Sequence, residues 1–169
     1  ELSSNINSLI ECKFIIICIG TPINKNLKPE VKKFLSVFKI LKKILNKNQH
    51  LIIRSSVYPG TIHKIKKMLN NFENITYCPE RIVQGFSLIE LPNLTQIISG
   101  FSKKSTKEVS ILFNKICKNT IICSVKEAEI IKLFSNAYRY ITFSIANQFF
   151  MMSENLGLDY KLIRKKMIK

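Results

Sequence analysis

Apolar runs closed by turn residues alternate along this chain with stretches of helical periodicity. The helical spacing of apolar residues predicts helices over 29–45, 61–69 and 105–116. Strands that alternate with helices are typical of the α/β class, with a parallel sheet and crossover helices. The first apolar run, KFIIICI, is continuous, which predicts a strand buried on both faces. The predicted strands are 13–19, 51–56, 75–78, 96–100 and 120–124.

The stretch from residue 125 to about 157 predicts a long helix that leaves the sheet, with Ser124 as its N-cap. It is apolar almost all round, yet Lys132, Asn136 and Arg139 fall within roughly 60° of one another on a helical wheel. Such a stripe is costly to bury without partners. Either neighbouring backbone satisfies these groups, or they form the wall of a site for an anionic or hydroxyl-rich ligand. A further helix is predicted after Asp159, a second capping residue.

Composition and charge narrow the possible classes of protein. The chain has 169 residues, is 46% hydrophobic and carries a formal net charge of +16. The lysines are spread among apolar residues at helical spacing, which favours solvated helix faces over a nucleic-acid footprint. The five cysteines lack metal-ligand spacing, so we expect no metal site and predict reduced, buried thiols in a cytoplasmic protein. The charge-free run 140–153 is too short to span a membrane.

Three predicted strands are followed by polar residues that could bind a ligand. Gly20 to Pro22 and Ser55 to Thr61 place hydroxyl groups where a strand turns towards a helix. Helix N-termini attract phosphates, although turn formation alone also explains these residue types. The third strand runs into CPERIVQG, in which Glu80 and Arg81 could form a surface ion pair or part of a site.

Four motifs in register, GTP, RSSVYPGT, CPERIVQG and AEIIKLFSNAYR, resemble the nucleotide-sugar 6-dehydrogenases that act on UDP-glucose and UDP-N-acetylhexosamines. The resemblance covers essentially the whole chain. It implies that residues 1–124 are the C-terminal part of an NAD-binding Rossmann-like domain. Residues 125–169 would be an incomplete central helical domain, through which the family assembles as a homodimer.

The resemblance also implies roles for individual residues. Thr21 and Ser56 would contact NAD, with Ser56 standing where the family usually has threonine. Lys132, Asn136 and Glu80 would be catalytic. The residues expected to contact the UDP-sugar are Arg81, Ile82, Lys132, Asn136 and Arg139. Gln84 stands where glucose-type members often carry glutamate, which puts a second acid there in doubt.

The implied reaction oxidises the C6 primary alcohol of a UDP-sugar to a carboxylate, for surface polysaccharide precursors. A family cysteine traps the aldehyde as a thiohemiacetal. Neither that cysteine, in its glycine-rich context, nor a GxGxxG loop occurs in this sequence. We therefore expect an internal fragment that is inactive alone. Arg81 and Arg139 resemble the N-acetylhexosamine branch of the family, which implies a UDP-N-acetylhexosamine in preference to UDP-glucose.

Two other functions stay open from the sequence. A 6-phosphogluconate-type or 3-hydroxy acid dehydrogenase also places an asparagine four residues after a helical lysine, but it does not need the CPERIVQG segment. A non-catalytic basic binding module would use the positive charge directly, and it would bind nucleic acid with strong salt dependence.

Overall fold

Each predicted apolar run contains a strand in the computed structural model, which describes residues 2–21, 23–26, 28–83 and 85–168. Within these residues the strands form one five-stranded sheet in the order β1-β2-β3-β4-β5. The α/β class is therefore confirmed. The strands are β1 (Phe14–Ile17), β2 (His50–Ile53), β3 (Ile75–Tyr77), β4 (Gln96–Gly100) and β5 (Thr120–Cys123).

The predicted helices are also present, and one further helix follows β3. That helix has seven residues and contains Pro92, so it shows no helical periodicity long enough to be recognised in the sequence. The helices of the described part of the chain are α1 (Val31–Leu41), α2 (Thr61–Met68), α3 (Ser87–Asn93), α4 (Lys103–Phe113), α5 (Val125–Asn155) and α6 (Tyr160–Met167), after a 3₁₀ turn at Ile6–Leu9.

The sheet is not wholly parallel, contrary to the expectation. β1, β2 and β3 are parallel and β4 and β5 are parallel, but β3 and β4 pair antiparallel, with Tyr77 opposite Ser99. The connection from β3 carries only the short α3. Gln96, the first residue of β4, donates a hydrogen bond to the carbonyl of Pro79, just after β3. The chain therefore stays at the carboxyl edge of β3, and β4 must run back.

The core covers the sheet unevenly. One face packs under α1, α2 and the start of α5, and the other packs under α4. The interior strand β2 is buried along its whole length, whereas Ile16 of β1 is 48% exposed. The prediction that the first strand is buried on both faces is therefore wrong, because β1 is an edge strand and α4 contacts β2, β3, β4 and β5.

The cysteines differ from one another in exposure. All five are free thiols; Cys78 and Cys117 are buried, but Cys12 and Cys18 are exposed. The expectation that the thiols are buried is wrong for the latter two, since Cys12 precedes β1 and Cys18 follows it at the sheet edge. Burial raises the pKa of the Cys78 thiol to about 12, so that thiol stays protonated.

The chain divides into two compact units, Glu1–Lys132 and Leu133–Lys169. The second unit contains the rest of α5 and then α6, whose predicted cap is confirmed because Asp159 accepts from the amides of Lys161 and Leu162. Phe150 and Tyr160 make an edge-on ring contact at 6.1 Å. None of the helices described is long and apolar enough to cross a membrane.

Candidate active site at the carboxyl edge of the sheet

The carboxyl ends of β1, β2 and β3 lie at one edge of the sheet because these strands are parallel. Thr21 and Ser56 follow the first two strands, and both side chains are partly exposed. The neighbouring Ser55 is buried, and its hydroxyl donates to the carbonyl of Ile19 at 2.6 Å. Ser55 therefore ties two strand ends together, while Thr21 and Ser56 are left accessible to a ligand. Pro22, in the same motif as Thr21, lies outside the described residues.

Glu80 is held at this edge by contacts to both carboxylate oxygens. Its Oε2 accepts a hydrogen bond from the Nη2 of Arg54 in an ion pair. Its Oε1 accepts from the backbone N–H groups of Arg81 at 2.7 Å and Ile82 at 2.9 Å. The carboxylate thereby organises the turn that follows β3, and its ion pair is with Arg54, whereas the sequence had suggested a surface pair with Arg81.

Arg54, the residue that follows β2, completes this cluster. Its Nη1 donates to Gln96 Oε1 at 3.0 Å, and the guanidinium lies 5.1 Å from the centre of the Phe113 ring. The side chain is only 10% exposed, and burial lowers the pKa of the guanidinium. A guanidinium stays charged even when its pKa is lowered, so Arg54 is a buried cation that needs a carboxylate beside it.

The turn carries Arg81 and Ile82, two of the five residues predicted to contact the sugar. The Arg81 guanidinium donates to the carbonyl of Thr95, and Ile82 is partly exposed. The next amide, of Val83, donates to Glu90 Oε2 at 2.7 Å, so α3 fixes the far side of the turn. Gln84, the residue in doubt as a second acid, lies outside the described residues.

The N-terminus of α2 is occupied by a side chain from α5. Glu129 is 1% exposed, and its carboxylate accepts from the amides of Gly60 at 2.7 Å and Ile62 at 3.0 Å. Gly60 has φ +84°, which turns its N–H towards that carboxylate without the penalty of a side chain. The 55–61 motif thus serves turn formation and helix capping, and the capping carboxylate takes the position that a phosphate would need.

The buried phenol of Tyr77 lies near the Glu129 carboxylate in the core. Tyr77 is fully buried at the end of β3, and its pKa is raised, chiefly by burial and then by the nearby Glu129 carboxylate. The phenol therefore stays protonated at neutral pH.

The polar stripe of the long helix is divided between the two compact units. Lys132 is the last residue of the first unit and is 8% exposed, so its ammonium group is withdrawn from bulk solvent. Asn136 and Arg139 belong to the second unit, where Asn136 is exposed and Arg139 is partly buried. Glu129 and Lys132 lie three residues apart on α5, so the contact of Glu129 with α2 also sets the position of Lys132.

Sequence reasoning missed Arg54, Gln96 and Glu129. A signal existed for Arg54, because a charged residue that directly follows the buried run LII needs a partner. Glu129 gave a weaker signal as the acid that directly precedes an apolar segment, and Gln96 gave none. Among the residues described, no group of histidine, cysteine or acidic side chains could hold a metal ion.

Comparison with known proteins places these features in a family. Residues 1–118 match the UDP-glucose/GDP-mannose dehydrogenase family, NAD binding domain, and residues 126–169 match the central domain of the same family. The match covers most of the chain and includes both the turn after β3 and the long helix.

Several curated proteins are similar over almost the whole chain. The UDP-N-acetyl-D-mannosamine dehydrogenase of Methanococcus aeolicus is 32% identical over 157 residues, or 88% of this chain and 36% of that protein. The UDP-N-acetyl-D-glucosamine 6-dehydrogenase of Salmonella typhi is 26% identical over 96% of this chain and 41% of its own length. The chain therefore spans about two fifths of the length of the relatives it matches.

Solved structures share the fold. The UDP-D-ManNAc dehydrogenase of Pyrococcus horikoshii aligns with a TM-score of 0.83 at 24% identity, over 95% of this chain and 40% of that one. A UDP-glucose dehydrogenase of Pyrobaculum islandicum aligns with a TM-score of 0.85 at 15% identity, over 98% of this chain and 41% of that one. At these identities the likeness establishes the fold.

Proposed function

Because this chain belongs to the UDP-glucose/GDP-mannose dehydrogenase family, we propose that it is part of an NAD-dependent enzyme that oxidises the C6 alcohol of a UDP-sugar to a carboxylate. The observation that carries the proposal is the set of polar residues that follow β1, β2 and β3 at the carboxyl edge of the sheet, namely Thr21, Ser56 and Glu80. Partly exposed hydroxyls, an anchored glutamate and a buried lysine lie in the two segments that match this family.

NAD is the cofactor of the matched domain. The ends of β1 and β2 at the carboxyl edge could hold it, but the N-terminus of α2 could not. Gly20 has open space around the position of a Cβ, and the hydroxyls of Thr21 and Ser56 are accessible beside it. These three residues would hold NAD against the ends of β1 and β2. The α2 N-terminus would not, because Glu129 occupies it. Two NAD molecules, bound in turn, would accept the two hydrides that leave the carbon as the alcohol is oxidised to a carboxylate.

Glu80 and Lys132 would face the sugar. The Lys132 ammonium would stabilise negative charge that develops on the reacting oxygen, an effect that is strong in a site withdrawn from water. Glu80 would assist water and proton handling, with Arg81 and Ile82 against the nucleotide-sugar. Asn136 and Arg139, which follow Lys132 at helical spacing, would contact the sugar as well.

A UDP-N-acetylhexosamine is our preferred substrate. Arg81 and Arg139 are the residues of this chain that favour it over UDP-glucose. The names of the relatives from Methanococcus aeolicus and Salmonella typhi support the same choice. The acid produced would serve surface polysaccharide synthesis in the cytoplasm, by a homodimer that associates through α5.

A ligand panel tests this proposal against the rival dehydrogenase. The purified chain is titrated in a calorimeter with UDP-N-acetylglucosamine, UDP-N-acetylmannosamine, UDP-glucose and 6-phosphogluconate. We expect heat of binding from the UDP-sugars, largest for the N-acetylhexosamines, and none from 6-phosphogluconate. Binding of 6-phosphogluconate without any UDP-sugar would overturn the proposal.

An activity assay tests the expected incompleteness of the site. This sequence holds neither a GxGxxG loop nor a cysteine in a glycine-rich context, so we expect no formation of NADH from UDP-sugar and NAD. Turnover by the chain alone would show that the residues present suffice.

A further inference from the structure

We propose that Arg54 is a positioning residue that bridges Glu80 and Gln96 and so fixes the turn formed by residues 79–83 at the carboxyl edge. The significance of this turn for a UDP-sugar rests on the function proposed above, whereas the bridge itself can be tested without any ligand.

The bridge joins three segments that are distant in sequence. Arg54 follows β2, Glu80 follows β3, and Gln96 begins β4. One guanidinium nitrogen contacts the Glu80 carboxylate, and the other donates to Gln96 Oε1 at 3.0 Å. The two partners thus lie on either side of the antiparallel β3–β4 junction, where the chain reverses between the two strands.

Burial makes the arrangement stiff. Arg54 is 10% exposed and Glu80 is 38% exposed, so the cation lies beneath the carboxylate. The Phe113 ring lies against the guanidinium from the side of α4. Gln96 is held in turn, since its Nε2 donates to the carbonyl of Ile97 at 2.8 Å. A planar guanidinium with two occupied donor directions has little freedom to rotate.

The bridge acts on the turn through Glu80. While Arg54 holds one carboxylate oxygen, the other accepts the amides of Arg81 and Ile82 at 2.7 and 2.9 Å. Both amides therefore depend on a carboxylate whose orientation Arg54 sets. The Val83 amide does not, because its acceptor is Glu90. The Val83 amide is therefore an internal control for the exchange rates of the Arg81 and Ile82 amides.

The test is site-resolved amide hydrogen exchange of the 169-residue chain, without ligand, for wild type, Arg54→Met and Arg54→Lys. In Arg54→Met we expect the Arg81 and Ile82 amides to exchange at least about tenfold faster, because their acceptor is no longer held. Val83 and the core amide of Leu51, which donates to the carbonyl of Asn74, should stay within about twofold. Lys33→Met, at an exposed ion pair with Glu30, is the matched control and should change none of these rates.

Arg54→Lys should rescue most of the protection, because an ammonium can still pair with Glu80, although it cannot also reach Gln96 as a planar fork. If Arg54→Met does not fold, Gln96→Leu takes its place. It removes one anchor of the guanidinium and should raise the Arg81 and Ile82 rates about threefold. Unchanged rates at both amides in a folded variant would overturn the positioning role. An equal rise at Val83 and Leu51 would also overturn it, since that is general destabilisation.

This outcome is separable from the proposed function. If exchange behaves as expected but the chain binds no UDP-sugar, the bridge stands and the substrate is wrong. If UDP-sugars bind but exchange is unchanged in Arg54→Met, the substrate stands and the bridge is wrong.

Discussion

At the carboxyl edge, the charged residues Arg54 and Glu80 form an ion pair although they are 26 residues apart in the sequence. The sequence singled out Glu80 and predicted Lys132 as part of a site, because a lysine in an apolar helix and an acid at a strand end are both unusual. It could not show that Glu80 and Arg54 are partners, since a partner 26 residues away follows only from the parallel pairing of β2 and β3.

Glu80→Gln should destabilise the chain, because the buried Arg54 guanidinium loses the carboxylate that neutralises it. Breaking a fully buried pair costs about 3–5 kcal/mol. Glu80 is 38% exposed, so we expect about 2 kcal/mol once solvent screening is included. Urea unfolding followed by circular dichroism measures this loss.

Glu30→Gln is the control for that variant, because its partner Lys33 is 71% exposed. Loss of an exposed pair should cost less than about 1 kcal/mol. Equal effects of the two substitutions would contradict the description of Arg54 as a buried cation.

His50 should make stability depend on pH. Its pKa is lowered from 6.5, chiefly by burial and with Lys13 and Lys104 acting in the same direction, although Glu108 opposes them. The unfolded chain therefore binds a proton at a higher pH than the native chain does. The free energy of unfolding should be constant above the unfolded pKa and fall as pH drops from there towards the native pKa. Denaturant unfolding at successive pH values should show this fall, and His50→Gln should flatten it. A fall of equal size in His50→Gln would assign it to other groups.

At the scale of elements, hydrophobic periodicity predicted the strands and the long helices well because each buries an apolar face. Two features escaped it. The short α3 lacks a periodic stripe, and the direction of β4 depends on which edge the preceding loop stays at, which no local pattern encodes. The Ser124 cap of α5 was predicted correctly, since its hydroxyl accepts from the Glu127 amide at 3.2 Å.

The contact between α5 and α2 should depend on Glu129. Glu129→Ala leaves the amides of Gly60 and Ile62 buried without their acceptor, so we expect a loss of about 2–4 kcal/mol and faster exchange at both amides. Calorimetric unfolding and amide exchange measure the two effects.

Glu127→Ala is the matched control on the same helix. It removes an exposed capping contact to the Ser124 amide, which is worth about 1 kcal/mol or less. Exchange at Gly60 and Ile62 should not change. If Glu127→Ala accelerated these two amides as much as Glu129→Ala, helix docking by Glu129 would be wrong.

At the scale of the whole molecule, apolar side chains remain exposed along the second unit. Phe143 is 64% exposed and Phe150 is 45% exposed on α5. Exposed apolar surface of this kind is typical of an interface. We expect the chain to sediment as a dimer. Phe143→Glu should raise the dissociation constant of that dimer at least about tenfold.

Leu88→Glu provides the control, because Leu88 is 91% exposed on α3 in the first unit. It should leave the sedimentation coefficient unchanged. A monomeric wild-type chain, or equal effects of the two substitutions, would contradict association through α5.

The central claim is that Lys132 and the carboxyl edge of the sheet bind a UDP-N-acetylhexosamine. The most direct measurement is an NMR titration of the isotope-labelled chain with UDP-N-acetylglucosamine at millimolar concentration, in wild type and Lys132→Gln. We predict amide shifts at Arg81 and Ile82, which the sugar would contact, and an affinity at least about tenfold weaker in the variant, since a buried cation would be lost from the site. Shifts confined to the basic helix α6, or identical titrations of the two proteins, would contradict the assignment.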